Sequence, residues 1–325
     1  MTTKRNFEVD MDCMETTGGW IKHGEPVLGG PATGTCFDVF ALAEDSATRL
    51  YFSWRDKKSL AVVTGSDGIH WSQPRIILEP RMEMGWEDNL NRNAVVRRQD
   101  GYHMWYCGQA RGFTRIGYAT SPDGYAWKRC CDQPVMVPEF PWEGRSVMCP
   151  HVNWDQEEQQ FKMWYSAGET YEPDAIGYAT SPDGIHWQKS LVNPIFTPDP
   201  AHGWEQHKVT ACQVIKRQNE YVMFYIGFED THTARIGIAR SPDGITRWER
   251  HPDNPIISPT PGGWDSDACY KPFAVWNDRK QKWYLWYNGR SGRPEYVGLA
   301  THSGFDLGFR QTCRICPEQR NNSLS

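Results

Sequence analysis

The chain has 325 residues and a formal net charge of −5 at neutral pH, without a basic tract that would suit nucleic acid. No stretch approaches the roughly 18 apolar residues of a membrane-spanning helix, and the N-terminal residues contain no apolar run typical of a signal peptide. We therefore expect a soluble, cytoplasmic protein that binds neither nucleic acid nor membrane, with its 10 cysteines reduced. The 16 tryptophans and 39% hydrophobic residues are ample for a large core.

A short turn motif recurs along the chain and sets its period. It reads "GSDGIHW" at 65–71, "SPDGYAW" at 121–127, "SPDGIHW" at 181–187 and "SPDGITRW" at 241–248, so its aspartates are spaced by 56, 60 and 60 residues. Three β-like runs precede each motif and a fourth follows it. This pattern predicts an all-β fold, a five-bladed β-propeller with four antiparallel strands per blade.

The predicted elements follow in chain order within a single domain, 1–325. They are a closing strand at 19–30, blade 1 at 33–80, blade 2 at 85–138, blade 3 at 141–198, blade 4 at 203–259, blade 5 at 263–309 and a polar tail at 310–325. The fifth blade has no outer strand of its own, whereas "GWIKHGEPVLGG" at 19–30 is similar to the outer strand "RWERHPDNPIISP" at 247–259. We expect the N-terminal strand to complete the last blade and remove its free edges.

The repeated motif itself is expected to be structural. Its aspartate suits a turn in which the carboxylate accepts backbone N–H groups, its glycine suits a positive φ, and its tryptophan can pack between sheets. The motif resembles the Asp box of sialidase propellers, which lies between strands three and four on the face away from the active site. Chemistry is therefore expected where the blades differ.

The first strand of each predicted blade carries the differences. These segments read "GTCFDVFAL" (34–42), "EDNLNRNAVV" (87–96), "EGRSVMCPHV" (143–152), "EQHKVTACQV" (205–214) and "DSDACYKPFAV" (265–275). Their polar content is high for buried strands, which indicates a central pocket.

Residues 19–309 resemble the five-bladed glycosidase propellers, a clan of invertases and fructosidases, arabinofuranosidases, xylosidases and mannoside phosphorylases. The resemblance implies a glycoside hydrolase-like enzyme that acts on a small carbohydrate or glycoside without a cofactor or metal. The fructosidase branch has its acids in Asn-Asp-Pro, Arg-Asp-Pro and Glu-Cys-Pro motifs of blades one to three. The matching stretches here are "FDV", "NRN" and "MCP". Only Asp38 remains, and the resemblance implies that it is the base or nucleophile.

The proton donor stays open, because glycoside hydrolysis normally needs two carboxyl groups. The catalytic candidates beside Asp38 are Glu143, Glu205 and His207. Glu143 and Glu205 each follow a tryptophan, as do Glu87 and Asp265, and this repetition also suits a structural role. The predicted substrate-binding residues are Asp88, Asn91, Arg92, Arg145, His151, Lys208, Asp267, Tyr270, Lys271 and Arg290.

Cations recur at first-strand or loop positions of all five predicted blades, and such a set favours a substrate with a carboxylate or phosphate. They are Arg55, Arg92, Arg145, Lys208, Lys271 and Arg290. Two other functions remain open, a non-catalytic carbohydrate-binding propeller and altered acid–base chemistry on a non-glycoside metabolite. Cys313 and Cys316 form a CxxC, but without a second pair we expect no metal there.

Overall fold

The computed structural model describes residues 15–44, 46–169 and 173–309; the predicted tail and its CxxC lie outside them. Within these ranges the regular elements are β-strands and short 3₁₀ helices, the latter at Arg55–Lys57, Met82–Met84, Pro141–Glu143 and Gly203–Glu205. The strands are β1 (Trp20–Lys22), β2 (Cys36–Ala43), β3 (Thr48–Trp54), β4 (Ser59–Gly65), β5 (Arg75–Leu78), β6 (Asn89–Arg98), β7 (Gly101–Ala110), β8 (Phe113–Ser121), β9 (Lys128–Arg129), β10 (Ser146–Asp155), β11 (Gln160–Gly168), β12 (Ala175–Ser181), β13 (Gln188–Lys189), β14 (Lys208–Arg217), β15 (Glu220–Phe228), β16 (Ala234–Ser241), β17 (Glu249–Arg250), β18 (Ala268–Asn277), β19 (Lys282–Arg290) and β20 (Glu295–Ser303). None of the helices in the described ranges is long and apolar enough to cross a bilayer.

Hydrogen bonding divides the strands into antiparallel groups of four, which we call units. Unit 1 (β2–β5), unit 2 (β6–β9) and unit 3 (β10–β13) are separate sheets. Unit 4 (β14–β17) and unit 5 (β18–β20 with β1) share one sheet, in which a single parallel pair, Ala234 with Ala268, joins β16 to β18. The predicted all-β class is confirmed.

The N-terminal strand lies beside the last strand of the chain. β1 pairs antiparallel with β20, with Trp20 opposite His302 and Lys22 opposite Ala300. Unit 5 thereby has four strands although its own sequence supplies three.

The first strands of the units contact one another in sequence. β2 lies against β6, β6 against β10, β10 against β14, β14 against β18, and β18 against β2. Most of their side chains are buried. The first strands, whose polar residues differ from unit to unit, therefore share one central region.

The Asp-Gly motif forms the turn between the third and fourth strands of units 1 to 4. In each turn one carboxylate oxygen accepts two backbone N–H groups at 2.7–2.9 Å, as Asp183 does from Ile185 and His186. The following glycines adopt φ of 76–85°, a left-handed conformation that glycine adopts without strain. The turn geometry expected from the sequence is present in all four copies.

The same turns tie neighbouring units together. An aromatic side chain on the second strand of one unit donates to the glycine carbonyl oxygen in the turn of the next unit. The donors are Tyr51 to Gly124, Trp105 to Gly184, Trp164 to Gly244 and Trp286 to Gly68, at 2.8–3.1 Å. Unit 5 lacks the motif, and the second strand of unit 4 carries Phe224, which has no donor, at the matching position. Unit 4 therefore has no aromatic donor at the position where unit 5 has no Asp-Gly turn to accept its hydrogen bond.

A second repeated feature, here called the acid clasp, holds the outer edge of units 2 to 5. A buried acid after tryptophan is bound by a tyrosine of the second strand and by a cation of the fourth strand. The sets are Glu87–Tyr106–Arg129, Glu143–Tyr165–Lys189, Glu205–Tyr225–Arg250 and Asp265–Tyr287–Lys22. In unit 5 the cation comes from β1, so the N-terminal strand supplies the same contact as β9, β13 and β17.

Replacing Lys22 with methionine should destabilise the fold by about 3 to 5 kcal/mol, because Asp265 would keep a buried charge without its cation. Lys22 Nζ lies 2.7 Å from Asp265 Oδ2 and also donates to Ser258 O at 2.6 Å. Urea unfolding at neutral pH measures the change. Lys189→Met should cost a similar amount, whereas Lys280→Met, at an exposed turn of unit 5, should cost little. Equal stability of the Lys22 and Lys280 variants would contradict this role of β1.

Asp183→Ala should lower the free energy of unfolding by about 1 to 2 kcal/mol, because the Ile185 and His186 N–H groups lose their acceptor. Asp183→Asn keeps an acceptor oxygen and should lose less. Ligand affinity of the folded protein should be unchanged in both variants. If Asp183→Ala is as stable as the parent but no longer binds ligand, the prediction is wrong, and the ligand site lies at the end of the units that carries the Asp-Gly turns.

Candidate active site

Every first strand contains a β-bulge at the same position. In unit 1, Phe37 pairs with Ser53 and Phe40 with Tyr51, so Asp38 and Val39 together oppose Phe52. The same shift occurs in the other four first strands. The first bulge residue of each has a left-handed backbone: Asp38 (φ 55°), Arg92 (53°), Cys149 (52°), Ala211 (42°) and Lys271 (52°). Non-glycine residues adopt this conformation at a cost, and bulges that re-aim a side chain often lie at active sites.

Side chains from neighbouring second strands hold the bulges in place. Each acceptor lies on the second strand of its unit, opposite the residue that precedes the bulge in that unit. It accepts a hydrogen bond from the backbone N–H of the first bulge residue in the next unit. These hydrogen bonds are Asp38 N to Asn288 Oδ1 (2.9 Å), Arg92 N to Ser53 Oγ (2.9 Å), Cys149 N to Cys107 Sγ (3.3 Å) and Ala211 N to Ser166 Oγ (2.8 Å). The fifth such position is Ile226, whose side chain cannot accept a hydrogen bond.

Asp38 is a buried carboxylate between two cations. Its Oδ1 lies 2.9 Å from Lys271 Nζ and its Oδ2 lies 3.5 Å from Arg92 Nε. The Ser53 hydroxyl donates to Oδ2 at 3.4 Å. All three charged side chains are less than 10% exposed. The sequence-predicted Asp38, Arg92 and Lys271 therefore meet at one site.

A cavity of about 50 Å³ opens beside this cluster. Its lining consists of Asp38, Val39, Phe40, Arg92, Asn93, Cys149, Pro150, His151, Ala211, Cys212, Lys271, Pro272 and Phe273. Asp38 is the one carboxylate in this lining. Both polar atoms of the buried Asn93 side chain have no hydrogen-bond partner among the described residues. Buried polar groups without a protein partner commonly bind water, so the cavity has the chemistry of a solvent or ligand site.

His151 forms part of the cavity floor rather than a charged contact. Its ring lies near those of Phe40 and Phe273, and its Nε2 lies 2.9 Å from Val214 O. Burial lowers the pKa of His151 to about 4, against which the hydrogen bond to Val214 acts only in part. The imidazole is therefore neutral near pH 7 and donates its proton to the backbone.

The position that matches the blade-three acid of fructosidases contains no acid. Met148 is fully buried, and Arg92 Nη1 lies 2.7 Å from its Sδ and 3.2 Å from Cys149 Sγ. A thioether cannot donate a proton. The second acid of the usual pair is missing at this position.

Glu143 and Glu205 lie in acid clasps and do not line the cavity at Asp38. Glu143 Oε1 accepts the Tyr165 hydroxyl at 2.7 Å and lies 2.8 Å from Lys189 Nζ. Burial alone would raise the pKa of Glu143, but hydrogen bonds from the Glu139 N–H, Lys189 and Tyr165 bring it below its usual value. Burial raises the pKa of Glu205, opposed by Arg250. The structure does not bring either group together with Asp38.

The remaining predicted residues divide between the interior and the rim. Asn91 and Tyr270 are buried next to the bulges, and Asn91 Oδ1 has no hydrogen-bond partner among the described residues. Asp88 is half-buried, Arg145 and His207 are exposed, and Lys208 pairs with Asp174 at 3.0 Å. Asp267 accepts Gly292 N at 2.7 Å, and Arg290 donates to His232 O at 2.8 Å. None of these outer residues lines the cavity at Asp38.

Sequence reasoning missed Ser53, Asn288 and Asn93. Ser53 and Asn288 fall at the last position of the repeated second-strand pattern, "YFS", "WYC", "WYS", "FYI" and "WYN". Polarity at that position, in a strand that is otherwise aromatic, was the available signal. Asn93 was within the quoted "NRN" but was not assigned a role.

No model of a known protein family matches the chain. Several curated proteins are similar to it in sequence. The uncharacterized protein Rv1502 of Mycobacterium tuberculosis is 28% identical over 79% of this chain and 88% of its own. A β-1,2-mannobiose phosphorylase of Thermoanaerobacter is 26% identical over 50% and 73%, and an acid β-fructofuranosidase of Phaseolus vulgaris is 25% identical over 45% and 25%.

Solved structures share the fold. A glycoside hydrolase matches with a TM-score of 0.72 at 16% identity, over 89% of this chain and 94% of its own. A thermostable family-43 glycoside hydrolase matches with a TM-score of 0.67 at 18% identity, over 84% and 90%. The resemblance to the propeller glycosidase superfamily is confirmed. A structure from the mannoside phosphorylase family, which contains glycoside hydrolases that target β-1,2-mannosidic linkages in Candida mannan, also matches. Its TM-score is 0.63 at 16% identity, over 91% of this chain and 92% of its own. These likenesses concern the fold.

The depressed pKa of His151 predicts a specific pH dependence. Burial in the folded protein favours the neutral form of His151. The folded protein therefore has its full stability above the ordinary pKa of 6.5 and loses part of it as the pH falls towards about 4. The loss should reach about 3 kcal/mol across that interval. His151→Gln keeps a donor for Val214 O but does not titrate in this range. The pH dependence of its free energy of unfolding should therefore be smaller by one proton. Urea unfolding between pH 7 and 4 measures both proteins. An NMR titration of His151 with a midpoint near 6.5 would contradict the prediction.

Proposed function

We propose that the chain is a glycoside hydrolase-like enzyme that acts on a small carbohydrate or glycoside, with Asp38 as nucleophile or water-activating base. The observation that carries the proposal is the placement of Asp38 on a left-handed bulge, between Lys271 and Arg92 and beside a cavity. Relatives whose names describe a fructofuranosidase and a mannobiose phosphorylase support the substrate class.

The local contacts suit a carboxylate that must attack without moving. Asn288 holds its backbone N–H, and Ser53 binds both Oδ2 of Asp38 and the N–H of Arg92. Lys271 and Arg92 bind this carboxylate, and they can also bind hydroxyl groups or an anionic group of a substrate. Preorganisation of this kind lowers the cost of reaching the transition state.

The proton donor is proposed to come from the rim, because Met148 cannot act as an acid. His207 and Asp88 are the candidates, and both are solvent-accessible. We assign Glu143 and Glu205 a structural role in the acid clasps. A rate that rises strongly with the acidity of the leaving group, measured on a series of aryl glycosides, would support weak acid assistance at this site.

There are two further candidates. One is a propeller with altered acid–base chemistry on a non-glycoside metabolite, and the other is a carbohydrate-binding propeller without catalysis. The observation that favours these readings is the single carboxylate in the cavity lining. Two carboxyl groups are the usual requirement for glycoside hydrolysis. Product analysis after incubation with metabolite extracts separates the two readings.

We also infer that the five units are the blades of one closed propeller with the boundaries predicted above. The contacts of each first strand with the next, including β18 with β2, support this closure. A cytoplasmic location remains part of the proposal, since the 7 cysteines within the described ranges are free thiols.

Asp38→Asn preserves the side-chain volume while removing the charge, so turnover should fall by at least about a hundredfold. Substrate affinity should change much less and the protein should remain folded. Steady-state kinetics on a panel of 4-nitrophenyl glycosides, with thermal unfolding as a check, measure the effect. Asp278→Asn, at the exposed turn between β18 and β19, is the matched control and should retain activity. Near-normal activity of Asp38→Asn together with loss in Asp267→Asn or His207→Ala would refute the assignment.

A further inference from the structure

A second cavity, of about 580 Å³, lies where unit 5 meets unit 1. Its charged lining residues are Arg55, Arg290, Arg293 and Glu295. Arg55 follows β3, and the other three come from the end of β19, the loop after it and the start of β20. With three guanidinium groups and one carboxylate, the cavity carries a net positive charge. It therefore favours an anion.

Two buried polar atoms in this cavity have no partner among the described residues. Glu295 is 7% exposed, and Arg55 Nη2 binds its Oε1 at 2.6 Å while its Oε2 makes no hydrogen bond. Arg290 donates one N–H to His232 O at 2.8 Å, but its Nε is likewise buried and without a partner. Both residues line the cavity, but these two atoms have almost no solvent-accessible surface. The groups that a ligand can reach are the exposed guanidinium groups of Arg55 and Arg293.

The cavity adjoins the Asp38 site. The guanidinium carbon of Arg55 lies 4.6 Å from the centre of the Phe37 ring, and Lys271 Nζ lies 5.2 Å from the same centre. Lys271 is the residue that binds Asp38 at 2.9 Å. Arg55, which lines the cavity, and Lys271, which binds Asp38, therefore contact the same aromatic ring.

We propose that this cavity is a subsite for a sugar unit that carries a carboxylate, phosphate or sulfate group. The oxyanion binds Arg293 and Arg55, whose planar guanidinium groups match its geometry. Glu295 holds the Arg55 guanidinium group at the cavity through its Oε1. This inference rests on the proposed function in one respect, that the same substrate also reaches Asp38. It narrows the substrate class to acidic carbohydrates.

The test is equilibrium binding, measured by isothermal titration calorimetry at low ionic strength so that charge interactions are not screened. The probes are D-glucuronate and D-galacturonate for the carboxylate, glucose 6-phosphate for the phosphate and glucose 6-sulfate for the sulfate. Glucose and galactose are the neutral references, and inorganic phosphate is the bare anion. The variants are Arg293→Gln, whose side chain is exposed, and Glu295→Gln. Arg279→Gln is the matched control, because it removes an exposed arginine from the opposite end of unit 5.

At least one acidic sugar should bind about tenfold more tightly than its neutral reference. Arg293→Gln should remove about that factor for the acidic sugar and leave the neutral sugar unchanged, and Arg279→Gln should alter neither. Equal affinities for acidic and neutral sugars, no binding of any acidic sugar at high millimolar concentration, or an equal loss in Arg279→Gln would overturn the proposal. Inorganic phosphate that binds as tightly as glucose 6-phosphate would overturn its sugar part.

A final comparison separates this inference from the proposed function. Asp38→Asn should still bind the acidic sugar with the parent affinity. If Arg293-dependent binding is found but no glycoside is turned over, the subsite stands and the proposed hydrolysis fails. If neutral glycosides are turned over through Asp38 with no preference for acidic ones, the hydrolysis stands and the subsite fails.

Discussion

The bulge in each first strand is the constraint on which the site depends. Two residues of the first strand oppose one of the second, and the first bulge residue takes a left-handed φ of 42–55°. The side chains at this position are therefore re-aimed together in every unit, and they differ from one unit to the next. Two of them are Asp38 and Lys271, whose charged groups lie 2.9 Å apart. At four of the five positions, a side chain of the neighbouring unit accepts a hydrogen bond from the backbone N–H of the strained residue. These hydrogen bonds offset part of the cost of the left-handed conformation.

Two repeated contacts hold the units while leaving the centre free to vary. The Asp-Gly turns accept hydrogen bonds from aromatic residues of neighbouring units, and the acid clasps bind the outer strands of units 2 to 5 by buried ion pairs. Buried ion pairs contribute mainly when every partner is present, which explains why acid, tyrosine and cation occur together. Unit 5 follows the same arrangement through Lys22 of β1. The repeated chemistry is thus structural, and the unrepeated chemistry lies at the bulges.

The central site combines features of the propeller glycosidases with a clear departure from them. One carboxylate is present, and a thioether occupies the position of the acid that would protonate a leaving group. The surrounding cations and the unmatched Asn93 amide provide binding groups rather than a second acid. For the hydrolysis proposed above, a leaving group of low basicity would lessen the need for a second carboxyl group.

The sequence by itself determined the repeated features and one catalytic candidate. The period of the Asp-Gly motif predicted four-stranded units and the turn geometry, because both depend on residues that are close together in the chain. Asp38 was indicated by the resemblance of "FDV" to the blade-one motif of the fructosidases. The sequence also brought Arg92 and Lys271 to attention as first-strand cations. Only the tertiary structure decided that Glu143 and Glu205 belong to ion pairs with fourth strands, and that Ser53 and Asn288 hold the next bulge. Arg55 and Glu295, which form the proposed subsite, are 240 positions apart. Contacts between units join residues that no local pattern relates, so their partners depend on how the strands meet in space.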